Sequence, residues 1–175
     1  MRSWARSLPP RVVKAHEIEG FTIIELMIVV VILAILATIA GPSLYEASLS
    51  GKIAGYASDL IGSAQLARSE AIKRNATVTM CVSANGSSCG SGNWNQGWIL
   101  LASGQVLRVQ AALESGIQVN STSISIDFDP SGLVSSAATL TVCRKLPTVG
   151  SSERVVAISA TGKSTLSKTS AGVCP

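Results

Sequence analysis

From Phe21 to Ala40 the chain is apolar apart from one charge, Glu25. As a helix rising about 1.5 Å per residue, this run is about 30 Å long, the thickness of a bilayer's hydrocarbon core. The pattern predicts a helix that sits in a membrane. Gly41-Pro42 interrupts it. Proline removes one backbone donor and crowds the preceding turn, so a bend is expected at Pro42 without the helix having to end. Beyond it, Leu44, Ala47, Ile53, Ala57, Leu60, Ala64, Ala67 and Ala71 recur mostly three or four apart, with Glu46, Lys52, Asp59, Arg68 and Lys73 between them. That spacing predicts an amphipathic continuation to about Asn75. Gly51, Ala54, Gly55 and Ala57 suit close packing against a sheet or another helix.

After residue 75 the apolar period shortens to two. Thr77–Val82 places Val78, Met80 and Val82 on one face, and Ile124, Ile126 and Phe128 alternate within Ser123–Phe128. Trp98–Leu101, Val106–Gln110, Thr139–Cys143 and Arg154–Ser159 are further β-prone runs. Turn signals separate them at Asn85-Gly86-Ser87, Ser103-Gly104, Asp129-Pro130-Ser131-Gly132 and Thr161-Gly162. Ser83–Gly97 is a long Ser/Gly/Asn loop, and there is no internal repeat. The fold class is therefore α+β. An N-terminal polar segment (1–20) precedes an apolar helix (21–42), its amphipathic continuation (43–75) and a β-rich domain (76–175).

Charge gives this arrangement a direction. The first 20 residues hold Arg2, Arg6, Arg11 and Lys14 against Glu17 and Glu19, within a net charge of +4 for the chain. Basic residues before an apolar run keep the N-terminus in the cytoplasm and send the rest across the membrane. The near-neutral remainder does not by itself point to nucleic acid or anionic lipid. Cysteine usage agrees with export. Cys81, Cys89, Cys143 and Cys174 are the only four, and none lies in the first 80 residues, as in a disulfide framework of an oxidising compartment. Four cysteines allow three pairings. Cys81–Cys89 and Cys143–Cys174 are favoured. The first closes a Ser/Gly/Asn loop with little to bury, and the second ties the C-terminal tail to a core strand.

Several alternative chemistries are weak. No Cys-x-x-Cys exists and the single histidine, His16, lies before the apolar run, so no metal site, cofactor or histidine-based catalysis is expected, and the chain is read as not an enzyme. Gly162-Lys163-Ser164-Thr165 resembles the end of a phosphate-binding loop, but the required glycine five residues earlier is Ala157. Asp127 and Asp129 flank Phe128 ahead of Pro130-Ser131-Gly132, which reads as a turn rather than a metal site. Thr38-Ile39-Ala40 has the small residues of a signal-peptide cut, against which stand Glu25 and the length of the run. A permanent membrane anchor is also compatible with the run. Asn75-Ala76-Thr77, Asn85-Gly86-Ser87 and Asn120-Ser121-Thr122 match glycosylation acceptors and are read as loop chemistry. Trp94 and Trp98 suit core packing over a binding platform. Trp98 opens a strand and faces inward; Trp94, in the loop, is the better candidate for contact with another subunit.

Gly20-Phe21-Thr22-Ile23-Ile24-Glu25-Leu26 resembles the processing site of type IV prepilins and type II secretion pseudopilins. The resemblance implies that residues 1–20 are a leader, that a prepilin peptidase cuts between Gly20 and Phe21, and that the new Phe21 amine is methylated. It further implies that Glu25 serves assembly and that Pro42 is the family's helix kink. The physical case for Glu25 is that a carboxylate in an apolar run costs up to about 2.5–3.5 kcal/mol at mid-bilayer and needs a partner. The Phe21 amine of a neighbouring subunit is such a partner by resemblance; spacing alone equally permits a pair within one helix.

Gln65-Leu66-Ala67-Arg68-Ser69-Glu70-Ala71-Ile72-Lys73-Arg74-Asn75, then Asn93-Trp94-Asn95-Gln96-Gly97-Trp98, then Phe128-Asp129-Pro130-Ser131-Gly132 resemble the GspH/FimT group of minor pilins in composition and order. This implies a helix packed on a small β-sandwich-like domain, in a low-abundance subunit that helps initiate or cap a filament, at its tip. The implied partners are other major and minor pilins through the N-terminal helix, the prepilin peptidase and an inner-membrane assembly platform. Two pairs of cysteines resemble the FimU-like and FimT-like subunits more than the secretion pseudopilin. FimT-like members imply a second role, DNA capture through a Gly-Arg-x-Arg turn. Here that stretch reads Gly162-Lys163-Ser164-Thr165, so Lys163 is the one residue placed as a DNA contact. DNA binding is not favoured, because a lysine lacks arginine's planar fork and the second basic position is Thr165.

Overall fold

The structure, a computed structural model, describes residues 20–145 and 152–170; within the helix, the side chains of residues 39–43 lie outside the description. Of the expected leader (1–20) all but Gly20 falls outside it, as does Cys174. The chain divides into two compact units, Met1–Pro42 and Ser43–Pro175.

In the first unit, helix α1 (Ile23–Arg74) begins, and it runs through Gly41-Pro42 into the second unit. The bend expected at Pro42 falls on side chains outside the description. Every large apolar side chain described from Phe21 to Leu36 is exposed, Phe21 by 76% and Ile23 by 81%. A helix apolar all round has no polar face to give to water and demands an apolar surrounding. Among the described residues no helix is long and apolar enough to cross a membrane. Residues 23–38 make about 24 Å of helix, and the apolar run continues in sequence through Ile39 and Ala40.

The second unit contains the core. From α1 it takes Ile53, Ala57, Leu60, Ala64, Ala67 and Ala71, all buried. Four of these are alanines, whose small side chains let the helix backbone lie close to what it packs on. Leu44 and Ala47, expected on the same stripe, are exposed; the stripe starts only where the helix meets the β-domain.

Among the described residues, eight strands form two antiparallel sheets. Strands β1 (Val78–Val82), β2 (Trp98–Ala102), β3 (Gln105–Gln110) and β5 (Ser125–Phe128) make one sheet in the order β3-β2-β1-β5. Strands β4 (Ile117–Ser121), β6 (Ala138–Arg144), β7 (Glu153–Ile158) and β8 (Ser164–Thr169) make the other in the order β4-β6-β7-β8. Val78, Met80 and Val82 of β1 are buried as their alternation requires, beside Ile126 and Phe128 of β5. Ile124 is exposed and precedes β5, although its carbonyl still accepts from the Val82 amide.

Two strands were not legible in the apolar pattern. β4 has only Ile117 and Val119 to bury, and β8 (Ser-Thr-Leu-Ser-Lys-Thr) has no buried residue. Both are outermost in their sheet, where pairing with β6 and β7 supplies the order that apolar burial supplies elsewhere. Such polar edges also resist pairing with a stray strand.

Candidate functional site

The N-terminal segment is capped by its own sequence. Thr22 precedes α1, and its Oγ1 accepts a hydrogen bond from the Glu25 amide at 3.3 Å, while its carbonyl accepts from Leu26. Thr22-Ile23-Ile24-Glu25 therefore has the Thr-x-x-Glu arrangement of a helix start, with an acidic residue in the first turn where the helix dipole favours it. Sequence inspection used these residues for processing and missed this local role, although the spacing carries the signal. Gly20 and Phe21 lie ahead of the helix and are exposed.

In the β-domain, Asn93–Trp98 ties the two sheets together. Trp98 on β2 is fully buried and its Nε1 donates to Ser63 Oγ of α1 at 2.9 Å. Trp94, placed by the sequence in a loop and taken as a subunit contact, is instead buried at 1% exposure in a short 3-10 turn, Trp94–Gln96. It packs on Trp98 with ring centroids 6.2 Å apart, and its Nε1 donates to the Ser123 carbonyl. Burial of the ring and a partner for the N–H explain this placement better than any external contact. Asn95 Oδ1 accepts from the Val119 amide on β4 at 2.6 Å and so covers part of an open strand edge.

Cys81 and Cys89 are joined, with Cα atoms 5.5 Å apart. The loop they close is further ordered by Ser83 and Asn85, whose side chains bond to the backbone and side chains of Gly86, Ser87 and Ser88. Cys143 is also disulfide-bonded; its proposed partner is Cys174, outside the described residues. A Cys81→Ser, Cys89→Ser variant is expected to lose about 2–3 kcal/mol in the chain-entropy model for so short a loop. Urea unfolding without reductant measures it, and a loss under about 0.5 kcal/mol would show that the side-chain bonds already order the loop.

Asp127 accepts from Thr79 Oγ1 across the strand pair. Asp129 Oδ1 accepts from the Ser131 hydroxyl and amide and from the Leu133 amide. The Ser131 hydroxyl bond, followed by the Leu133 amide, holds the Asp129 carboxyl below its usual range. Its contribution to the turn is present above the ordinary carboxylate pKa and fades as pH falls through the lowered one. Among the described residues no group of acidic, histidine or cysteine side chains has the arrangement of a metal site.

Lys163 is exposed in the β7–β8 turn, on the rim of a groove of about 350 Å³ lined by Gln65, Arg68, Ser69, Ile72, Gly162, Lys163 and Ser164. Arg154 and Lys168 face each other across β7 and β8. Lys168 is five positions along β8 from Lys163, roughly 17 Å of strand. These two basic residues are thus at the other end of the hairpin from Lys163 and do not reinforce it.

Comparison with known families gives two matches. Residues 56–162 match the family described as type II transport protein GspH, and residues 18–41 match the prokaryotic N-terminal methylation motif. The chain belongs to the GspH family. It is a pilin-like subunit of the minor pilin and pseudopilin class. The type IV minor pilin FimU of Pseudomonas aeruginosa strain PAO1 is similar in fold. One of its crystal forms has a TM-score of 0.55 at 22% identity over 67% of this chain and 89% of that one. A second crystal form gives 0.51 at 23% over 63% and 89%. The minor pseudopilin EpsH of the Vibrio cholerae type 2 secretion system gives 0.46 at 14% over 68% and 97%. No curated protein matches in sequence. The family confirms the α+β pilin fold expected from the leader-like motif, the long helix and the alternating strands.

Proposed function

We propose that this protein is a minor pilin that helps initiate or cap a type IV pilus or related filament. The observation that carries this reading is the N-terminal half of α1, whose apolar side chains are exposed on all sides around a single carboxylate. A permanent anchor needs apolar residues but has no use for Glu25 one turn inside them. A subunit that moves from bilayer to filament core needs both. The proposed cycle starts with the N-terminus in the cytoplasm and the β-domain in the periplasm. Prepilin peptidase cuts between Gly20 and Phe21 and methylates Phe21. The assembly platform then extracts the helix, which packs among those of major and minor pilins at the filament tip. The same parts would serve a secretion pseudopilus.

The test is the mature N-terminus and the location of the chain. Intact mass of the protein from its native membrane is expected to give a chain starting at methylated Phe21, and sheared filaments are expected to contain it at low stoichiometry. A start after Ala40 would instead assign a signal peptide. Replacing Gly20 with a bulky residue such as leucine is expected to abolish processing, because the peptidase must approach the backbone where glycine has no side chain. Full-length protein retaining residues 1–20 is the readout.

DNA capture is the second reading, and the dispersion of Lys163, Arg154 and Lys168 weighs against it. Loss of one phosphate contact lowers affinity and flattens its dependence on salt. Duplex DNA is expected to bind weakly at physiological salt, with little change in Lys163→Ala. Micromolar, salt-sensitive binding that Lys163→Ala removes would reverse the order of the two readings.

A further inference from the structure

Arg68 is held in an unusual way for a surface arginine. Two turns from different parts of the sheet region close over its stem. An added Cβ at Gly132 would lie 3.1 Å from Arg68 Nε and 2.8 Å from Ile72 Cδ1. One at Gly162 would lie 3.1 Å from Arg68 Cδ and Nε and 2.1 Å from the Gly132 carbonyl oxygen. Both glycines have positive φ, 77° and 72°. Only glycine at both positions lets the turns meet over the guanidinium stem. The side chain is thus fixed before any ligand arrives, and its cost in lost freedom is already met by the fold.

Nothing in the described structure neutralises it. Arg68 Nε is buried without an acceptor, and so is the hydroxyl of Ser164, which lines the same groove. Lys163 lies between Gly162 and Ser164, and no acidic residue lines the groove. Four other cations of this domain, by contrast, have carboxylates: Lys52 has Glu114, Arg74 has Glu70, Arg108 has Asp59 and Arg144 has Glu46. A recess with two cations, an unpaired hydroxyl and no anion is a site whose complement is missing. Beside it Ile72 is 51% exposed, so one wall is apolar.

We propose that this recess docks a carboxylate side chain of a neighbouring protein subunit, with an adjacent apolar residue of that subunit resting on Ile72. The carboxylate accepts from the Arg68 guanidinium and the Ser164 hydroxyl, and Lys163 closes over it. A protein carboxylate fits better than a nucleic-acid backbone. A duplex presents a line of phosphates and rewards cations spread along it, whereas here two cations and an apolar wall converge on one recess, the basic pair Arg154 and Lys168 lies at the far end of β7 and β8, and Lys73 and Arg74 are paired with Glu70. The neighbour being a filament subunit rests on the function proposed above; the recess and its ligand chemistry do not.

The test uses the mature full-length chain, labelled with 15N, in micelles of an uncharged detergent. The Nε–H signal of Arg68 and the amide signals of Lys163 and Ser164 are followed as probes are added. An acetylated Leu-Glu dipeptide amide is expected to shift all three saturably at millimolar concentration, and its Leu-Gln counterpart is not. Lys163→Ala and Ser164→Ala, neither of which removes a bond within the fold, are each expected to weaken binding about threefold to tenfold. In cells, Lys163→Glu is expected to lower filament incorporation severalfold with the Phe21 terminus unchanged. No saturable shift would make Arg68 a structural post and overturn the proposal. An equal response to Leu-Gln would make the site merely apolar. A response to inorganic phosphate without one to the dipeptide would make it a small-ion site. Saturation by a short DNA duplex at lower concentration than the dipeptide would assign it to nucleic acid. A mature chain that does not start at Phe21 would sink the filament reading while leaving the dipeptide titration to stand or fall alone.

Discussion

Glu25→Ala is expected to leave export and cleavage at Gly20 intact while lowering recovery in sheared filaments at least tenfold. Glu25 is the single charge between Phe21 and Ala40. In the membrane its carboxylate near the helix end can reach the polar interface, so insertion tolerates it. In a bundle of helices the interface is gone and an unneutralised charge becomes costly, up to the 2.5–3.5 kcal/mol scale of the bilayer centre. A positive amine at Phe21 of a neighbour removes that cost and fixes the axial register. A tenfold loss corresponds to only about 1.4 kcal/mol, well inside that range. The competing account is that Glu25 merely completes the start of α1 with Thr22. That contact uses the Glu25 amide, which alanine retains, and the dipole term is worth only about 0.3–1 kcal/mol at an exposed helix end. Glu25→Gln separates the two. It keeps the size and removes the charge, so it should fail like alanine if the charge sets register. Normal filament levels for both variants would count against the assembly role.

The second large effect concerns Trp98. Trp98→Ala is expected to destabilise the β-domain by about 3–5 kcal/mol, the usual range for a buried tryptophan replaced by alanine. Trp98 is fully buried, leans on Trp94, and donates to Ser63 Oγ at 2.9 Å. Removal leaves a cavity between α1 and β2, exposes a face of Trp94 and strands the buried Ser63 hydroxyl. Trp98→Phe keeps most of the packing and loses the hydrogen bond, so about 1–3 kcal/mol is expected. Ser63→Ala with Trp98→Phe should cost less than the two losses added together, because each single change orphans the other partner. Thermal unfolding of the mature chain in detergent, followed by near-ultraviolet circular dichroism, measures all four. A Trp98→Ala loss below about 1 kcal/mol would mean that the helix and sheet hold each other without it.

Much of this protein is determined by short-range features of the chain. The apolar run, its one carboxylate, and the basic residues before it follow from hydropathy and charge, properties each residue carries with it. The first half of the helix from Ile23 to Arg74 follows from an unbroken apolar run and its second half from a period near 3.6, and the strands at Val78–Val82, Trp98–Ala102 and Ala138–Arg144 from alternation and β-branched content. The closure of Cys81 on Cys89 was legible because the loop between them has almost nothing else to bury. Family resemblance rested on these same local motifs.

Long-range contact decided the rest. β4 and β8 are polar edge strands, ordered by neighbours distant in sequence, and local pattern has no term for that. Trp94 lies in a loop by every local sign, yet the two sheets enclose it and Ser123 supplies its hydrogen bond from 29 residues away. Leu44 and Ala47 continue the helical stripe in sequence but lie outside the stretch that meets the sheets. Arg68 reads as one more polar residue on the outer face of a helix. Only when Gly132 and Gly162, 64 and 94 positions further along the chain, are brought together over its stem does it become a fixed cation without a counter-ion. Charge is visible in a sequence; whether a charge has a partner depends on which distant segments the fold brings to it.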